Sequence, residues 1–282
     1  MLFTNARTYA KNEVTSWPVP NAWDFIALIL ISGLLCVLGW GAKSMMGHFE
    51  VGQSISISLS PWALPYYALR TVIRMLIALC FSLLCTFIFG TWAAKSRRAE
   101  CIIIPMVDIL QSVPVLGFLT ITIVGFITLF HGSLLGPECA AIFVIFTAQA
   151  WNMILSFYQS VKTVPHDLDE AALMFRLSGW QRFWRIDVPF ALPGLIWNMM
   201  MSMSGSWVFL VASEAISVAN HTITLPGIGS YIAKAIDQAN IHAIFYVIAA
   251  MLIVIALYDQ LLFRPLVAWA EKFKMQSAAS EV

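Results

Sequence analysis

The sequence has 282 residues, of which 60% are hydrophobic and 11% are charged, and its formal net charge is +1. This apolar composition excludes an ordinary soluble globular protein and indicates a chain that lies mostly in lipid. The near-neutral charge argues against nucleic-acid binding, because that function requires a clustered basic surface that neutralises phosphates.

The first 22 residues contain Arg7, Lys11 and Glu13, without an apolar run or a small-residue cleavage pattern. They do not resemble a cleaved signal peptide. We expect residues 1–22 to form a cytoplasmic N-terminal segment, and the hydrophobic segment that follows to act as an uncleaved anchor.

Six stretches are long and apolar enough to cross about 30 Å of hydrocarbon, which takes roughly 20 residues in a helix. Strands are excluded because a lipid-exposed open sheet would leave backbone groups unpaired. We therefore predict an all-α membrane protein with six transmembrane helices and one membrane domain over residues 23–270. The predicted spans centre on residues 25–40, 75–94, 109–130, 139–161, 188–213 and 243–263.

Lys and Arg near the span ends assign the two sides, because short basic loops tend to remain cytoplasmic. With the N-terminus inside, most of these residues fall on the inner side, and only Lys43 and Lys234 fall clearly outside. Arg70 and Arg74 lie near the outer end of the second span. Both termini are thus predicted to be cytoplasmic, with a disordered tail over residues 271–282. The outer segment 41–65 is compatible with a short strand or an extended loop.

Residues 162–189, between the fourth and fifth spans, predict two short amphipathic helices. Pro165 suits a first helical position, and acidic residues follow it where the helix dipole favours negative charge. We expect Ser178 and Gly179 to break the first helix and Pro189 to end the second. From chemistry alone, this pair is compatible with lying on lipid headgroups. Leu168, Ala171, Ala172 and Phe175 follow helical spacing and predict one apolar stripe.

The same loop carries a recognisable spacing. Glu170-Ala171-Ala172 and the later Ile186-Asp187-Val188-Pro189 match the pattern EAA-x3-G-x9-I-x-L-P. The chain thereby resembles permeases of binding-protein-dependent ABC importers, which have the type I importer fold and use this EAA loop as a coupling element. The resemblance implies docking on a cytoplasmic ATP-binding cassette ATPase through Glu170, Ala171, Ala172, Phe175, Arg176, Gly179, Ile186 and Pro189.

Two positions depart from that pattern. Arg176 stands where the family has Gly, and Val188 stands where it has Leu. Because Arg favours the right-handed helical region, we expect Arg176 to lengthen the first helix of the loop.

Other segments extend the resemblance over roughly residues 62–274. Residues 108–117, 207–215 and 225–229 are similar to the nitrate, sulfonate, taurine and bicarbonate branch, and residues 258–267 to members in which two permease units are fused. The resemblance implies a bacterial inner-membrane location, a separate substrate-binding protein, and a second permease unit that is an identical copy, a paralogue or a fused copy. It also implies that this chain is not an enzyme and holds no cofactor, since ATP and Mg²⁺ would be bound by the partner ATPase.

Polar side chains within spans are costly in lipid, so they either line a pathway or bond to a neighbouring helix. For Asp108 we expect an ion pair with Lys95, Arg97 or Arg98. Glu214 is interpreted as a gate or a structural hydrogen-bond acceptor beside the turn 226–229 at the outer mouth. The candidate pathway residues are Gln111, Ser112, Gln149, Asn152, Asn198, Met199, Ser202, Met203, Ser206 and Glu214.

No phosphate loop, dinucleotide fingerprint or His-Glu-x-x-His helix is found in the sequence, and no metal site is predicted. Two alternatives remain at this stage. A membrane-embedded enzyme would require converging acid, base or metal-ligand residues, and an ion-coupled secondary transporter commonly shows matched halves.

Overall fold

A computed structural model describes residues 56–130, 133–218 and 221–278. The predicted N-terminal segment 1–22 and the first predicted span, 25–40, lie outside the described residues. The helices are α1 Leu64–Cys85, α2 Thr91–Lys95, α3 Arg97–Ser112, α4 Val115–Leu129, α5 Leu135–Lys162, α6 His166–Met174, α7 Gly179–Arg182, α8 Val188–Glu214, α9 Ile228–Asp237, α10 Ile241–Tyr258 and α11 Arg264–Ala278.

Four helical stretches among the described residues are long and apolar enough to cross a membrane. They correspond to the second, fourth, fifth and sixth predicted spans. Three of them pass through a π turn, at Thr86–Gly90, Phe183–Asp187 and Asp259–Phe263. The four stretches are Pro61–Lys95, Leu135–Lys162, Gly179–Glu214 and Ile241–Glu271.

The third predicted span, 109–130, is wrong as a single helix. α3 ends at Ser112 and α4 begins at Val115, because Val113 adopts an extended conformation before Pro114. A residue that precedes proline is disfavoured in the helical region, which explains the break. The 15 residues of α4 span about 22 Å, less than the hydrocarbon thickness.

The expectation that Pro189 ends the second loop helix is also wrong. α7 continues through the π turn Phe183–Asp187 directly into α8, in which Pro189 occupies the first turn. Proline removes one backbone donor and crowds the carbonyl four residues earlier. The wider π turn lies at that position, and the helix therefore continues as one rod.

Three smaller features refine the predicted all-α fold. The described part of the outer segment before Pro61, residues 56–60, contains no strand. Strands β1 Ala215–Val218 and β2 His221–Thr224 form an antiparallel hairpin between α8 and α9. α11 continues to Ala278, whereas the tail was predicted to be disordered from residue 271. Its last turns contain helix-forming residues and neither Gly nor Pro, which favours the continued helix.

The core lies between α1, α5 and α8, which pack along one another. Its buried side chains include Met75, Met153, Phe157, Leu195 and Met203. We call the end of the bundle that carries residues 162–189 the loop end. α1 and α8 run between the loop end and the opposite end in reverse directions, so residues far apart in sequence meet at both ends.

Candidate functional site

The loop-end helix α6 stops in a way the sequence did not predict. Arg176 adopts φ 49°, in the left-handed region. The amide of Leu177 donates to Ala172 O and that of Arg176 donates to Leu173 O, each over 3.0 Å. This is a Schellman ending, in which the left-handed position is usually glycine. Arg176 therefore ends α6 and does not lengthen it.

The predicted apolar stripe of α6 lies mostly on the surface of the chain. Within the described structure, only Ala172 of this stripe is buried, whereas Leu168 and Phe175 are exposed. Exposed apolar side chains of this size mark a surface that another protein or lipid covers. The exposed fractions are 76% for Leu173, 83% for Met174, 78% for Phe175 and 71% for Trp180.

Other predicted coupling residues of the loop are exposed or half-buried. Glu170 is 65% exposed and lies 3.2 Å from His166, one turn earlier on the same helix. Gly179 starts α7 with open space around its Cα. Ile186 and Pro189 are half-buried where α7 passes into α8. The predicted coupling residues thus lie on one loop, with Glu170 and Phe175 accessible to a partner.

An aromatic cluster fixes α7 to the bundle. Phe183 packs against Phe87 and Phe157, with ring centroids 5.8 and 6.4 Å apart, and against Trp180 and Trp184. Phe87 belongs to the π turn after α1, and Phe157 belongs to α5. The cluster therefore connects the second loop helix to two spans at once.

A second contact fastens α3 to α5 at the loop end. Glu100, in the first turn of α3, accepts hydrogen bonds from Lys162 Nζ at 2.8 Å and Tyr158 OH at 2.5 Å. These bonds, that from Lys162 first, lower the pKa of the Glu100 carboxyl. The carboxylate is thus held charged next to the end of α5.

The expected ion pair of Asp108 with Lys95, Arg97 or Arg98 does not form. Asp108 instead accepts a hydrogen bond from Gln111 Nε2 at 3.1 Å, and Lys95 pairs with Asp187. Arg97 and Asp108 are eleven positions apart in the sequence, which is about 16 Å along α3. That distance keeps Asp108 away from the basic start of the helix.

The predicted pathway residues do not form one surface. Three of them, Gln111, Ser112 and Asn152, are exposed. Asn198 is half-buried and donates to Ser156 Oγ over 2.8 Å. The others, Gln149, Met199, Ser202, Met203, Ser206 and Glu214, are buried inside the chain.

Gln149 illustrates the role of the buried group. Its Nε2 donates to Ser206 Oγ over 3.1 Å and lies 3.4 Å from Met203 Sδ. The amide therefore joins α5 to α8 within the protein. Asn152, three residues later, is exposed, so the two amides have different surroundings.

A buried cluster of four charges at the opposite end was not predicted. Arg74 contacts Glu138 from α5 and Glu214 from the end of α8, and Arg70 contacts Glu138 over 2.5 Å. At most 3% of any of these side chains is exposed. Their charges sum to zero, which is what burial in a membrane protein requires. The four-residue spacing of Arg70 and Arg74 was the signal in the sequence, because it places both on one face of α1.

This charge cluster also holds the turn before α9. Glu214 accepts from Thr71 Oγ1 at 2.7 Å and from the amide of Gly229 at 2.6 Å. Arg74 Nη2 donates to Pro226 O over 3.0 Å. A Cβ at Gly227 would lie 2.3 Å from the Glu214 carboxylate. Glu214 is thus a structural hydrogen-bond acceptor enclosed by the turn.

Comparison with known proteins gives a family match and several similar permease proteins. A family model described as "Binding-protein-dependent transport system inner membrane component" matches residues 86–264. The nitrate import permease protein NrtB of Leptolyngbya laminosa is 28% identical over 246 residues, covering 81% of each chain. The bicarbonate transport system permease protein CmpB of Synechococcus elongatus is 23% identical over 188 residues, covering 67% of this chain.

The chain spans 61% of the length of that bicarbonate permease protein. The glycine betaine/proline betaine permease protein ProW of Escherichia coli is 25% identical over 224 residues, covering 79% of this chain and 56% of the relative. A chain of the MetNI methionine ABC transporter, in an inward-facing conformation, superposes with a TM-score of 0.61 at 15% identity. The superposition covers 74% of this chain and 96% of the MetNI chain. This likeness shows a shared fold.

Proposed function

We propose that this chain, which belongs to the family of inner membrane components of binding-protein-dependent transport systems, is the permease subunit of an ATP-driven importer. It is a multi-pass membrane protein with four described stretches able to cross a membrane. The observation that carries the proposal is the loop 162–189, which combines the EAA spacing with exposed apolar side chains on α6 and α7. That surface fits a groove of an ATP-binding cassette ATPase, which would bind the ATP and Mg²⁺.

The exposed polar groups of the bundle support a second permease unit as a partner. Asp108 and Gln111 are exposed near the end of α3, and Asn152 is exposed on α5, within a stretch long and apolar enough to cross a membrane. Polar side chains there require cover by protein or water rather than lipid. A second unit facing these side chains across a water-filled pathway provides both. That unit is an identical copy, a paralogue or a fused copy.

The transported solute is a small compound of the nitrate, bicarbonate, sulfonate or taurine type. The nitrate and bicarbonate permease proteins to which this chain is similar support this assignment. A separate substrate-binding protein on the outer face would deliver the solute. Both termini face the cytoplasm in this proposal, because the loop end collects basic residues such as Lys95, Lys162 and Arg185.

Transport proceeds by alternating access in this proposal. Closure of two ATPase subunits moves the two coupling loops, and the permease pair turns its cavity from one side to the other. The chain contributes the pathway and the loop, and the partner ATPase contributes the hydrolysis. Substrate specificity is shared with the binding protein.

The test is to reconstitute this chain in lipid vesicles, together with the ATPase and the binding protein that are encoded beside it. ATP hydrolysis and uptake of labelled nitrate, bicarbonate and taurine are measured for the wild type and Glu170→Ala. Asp167→Ala is the matched control, because Asp167 is another exposed acidic residue of α6. We expect ATP-dependent uptake that Glu170→Ala impairs and Asp167→Ala retains. Uptake driven by an ion gradient without ATP would support a secondary transporter, and product formation without transport would support a membrane enzyme.

A further inference from the structure

Four alternating charges form a chain from α6 to the end of α2. Arg182 Nη2 donates to Asp169 Oδ1 over 2.6 Å, and Arg182 Nε lies 3.6 Å from Asp187 Oδ1. The other carboxylate oxygen of Asp187 pairs with Lys95 Nζ. One guanidinium therefore joins two carboxylates that belong to different elements. We call Asp169, Arg182, Asp187 and Lys95 the loop-end charge chain.

α6 has few other contacts with the described part of the bundle. Within that part, Ala172 is its one buried side chain. Among the described residues, the pair of Asp169 with Arg182 is the only ion pair that joins α6 to another element. The pair of His166 with Glu170 lies within α6. A force applied to α6 therefore reaches the bundle through this pair, through Ala172 and through the chain connections at its two ends.

Asp187 makes the charge chain sensitive to the position of Arg182. Its side chain is fully buried, whereas those of Arg182 and Lys95 are 33% and 34% exposed. A buried carboxylate requires cationic partners, because desolvation otherwise disfavours its charge. The planar guanidinium of Arg182 meets two carboxylates from fixed directions, which a lysine ammonium does not reproduce. Displacement of Arg182 thus changes the ionic contacts of Asp187 at the start of α8.

We propose that Arg182 is a positioning residue that transmits movement of α6 to α8 and to the end of α2. When Asp169 moves, Arg182 moves with it. This changes the contact of Arg182 with Asp187 at the start of α8, and the contact of Asp187 with Lys95 changes in turn. The inference rests on the proposed function, in which an ATPase docks on α6, and concerns the step after docking. Arg182 is not among the residues assigned to the ATPase-facing surface.

The experiment compares Arg182→Ala with Arg185→Ala in vesicles that contain the partner ATPase. Arg185 is a matched control, because it lies one helical turn away, is exposed, and has no ion pair within the described part of the chain. Two quantities are measured: binding of the ATPase to the chain, and stimulation of ATP hydrolysis by the chain. Arg182→Ala should bind the ATPase within about twofold of wild type and lose about tenfold in stimulation, as expected for one lost charge-assisted hydrogen bond. Arg185→Ala should retain both.

Further variants test the chain itself. Asp169→Asn should reproduce the loss, and the double variant Asp169→Asn with Arg182→Ala should lose no more than Arg182→Ala, because both act on one interaction. Arg182→Lys should fall between wild type and Arg182→Ala. If Arg182→Ala lowers the amount of folded chain, Asp169→Asn provides the test of the charge chain instead, because Asp169 is 36% exposed and lies outside the core.

The outcomes separate the two proposals. Normal stimulation in Asp169→Asn, or losses that add in the double variant, would overturn the role of Arg182. Equal losses in Arg182→Ala and Arg185→Ala would also overturn it, because general charge removal would then explain the effect. Failure of the wild-type chain to bind the ATPase at all would instead overturn the proposed function.

Discussion

Arg74 Nη1 lies 2.6 Å from Glu214 Oε1, although the two residues are 140 positions apart in the sequence. Both side chains are fully buried. This pair joins α1 to the end of α8, and Glu138 of α5 completes the contact on the other side of the guanidinium. Buried ion pairs therefore hold the helices together at the opposite end of the bundle. At the loop end, the aromatic cluster and the loop-end charge chain do so.

The first prediction concerns this buried pair. Glu214→Gln should destabilise the chain by about 3 kcal/mol, because removing one member of a buried ion pair leaves the other without compensation. The midpoint of thermal unfolding in detergent measures the effect. Glu170→Gln is the control, since Glu170 is exposed, and should change stability little. The double variant Arg74→Met with Glu214→Met should cost less than the sum of the single changes. Equal stability of Glu214→Gln and Glu170→Gln would contradict the prediction.

The second prediction concerns the turn that encloses Glu214. Gly227→Ala should destabilise the chain by about 1–3 kcal/mol, because the new methyl group overpacks a filled space. It would lie 2.3 Å from the Glu214 carboxylate. Gly205→Ala is the control: a Cβ there would have no atom of the described residues within 4 Å, and in a helix interior alanine should gain about 1 kcal/mol. The same unfolding assay distinguishes the two, and a stabilising Gly227→Ala would show that the turn has room.

The third prediction concerns the end of α6. Arg176→Gly should stabilise the loop by about 1 kcal/mol, because glycine adopts the left-handed conformation without the steric cost that Arg pays. Hydrogen exchange of the Leu177 amide, which donates to Ala172 O, reports this locally. Leu173→Gly, one turn earlier in the helix, should have the opposite sign at about 1 kcal/mol. Faster exchange in Arg176→Gly would mean that the arginine side chain stabilises this ending.

The fourth prediction separates packing from pathway residues. Gln149→Ala should reduce stability by about 2 kcal/mol, because it removes a buried amide and leaves a cavity. Asn152→Ala, at an exposed position, should stay within about 0.5 kcal/mol of wild type and alter uptake in the assembled importer. Unfolding and vesicle uptake are measured for both variants. An unchanged uptake in Asn152→Ala would remove Asn152 from the pathway.

Local patterns predicted most of the helices and the loop, because they depend on neighbours in sequence. Long apolar runs predicted the four spans described, and the EAA spacing identified residues 162–189. The errors arose where local signals compete. Pro114 broke a predicted span, whereas Pro189 did not end a helix, and the difference lies in the π turn that precedes Pro189. Arg176 took a conformation set by the Schellman hydrogen bonds rather than by its own preference.

The sequence by itself determined that this protein lies in a membrane, where its four described spans run and to which family its loop is similar, since composition, periodicity and spacing are properties of the chain. Only the tertiary structure decided which polar side chains meet. Arg74 and Glu214, or Lys95 and Asp187, become partners because α1, α5 and α8 pack with their ends aligned. The same packing buried Gln149 and Ser206 between helices and left Asn152 and Gln111 exposed, since burial depends on the neighbouring helix as well as on the residue.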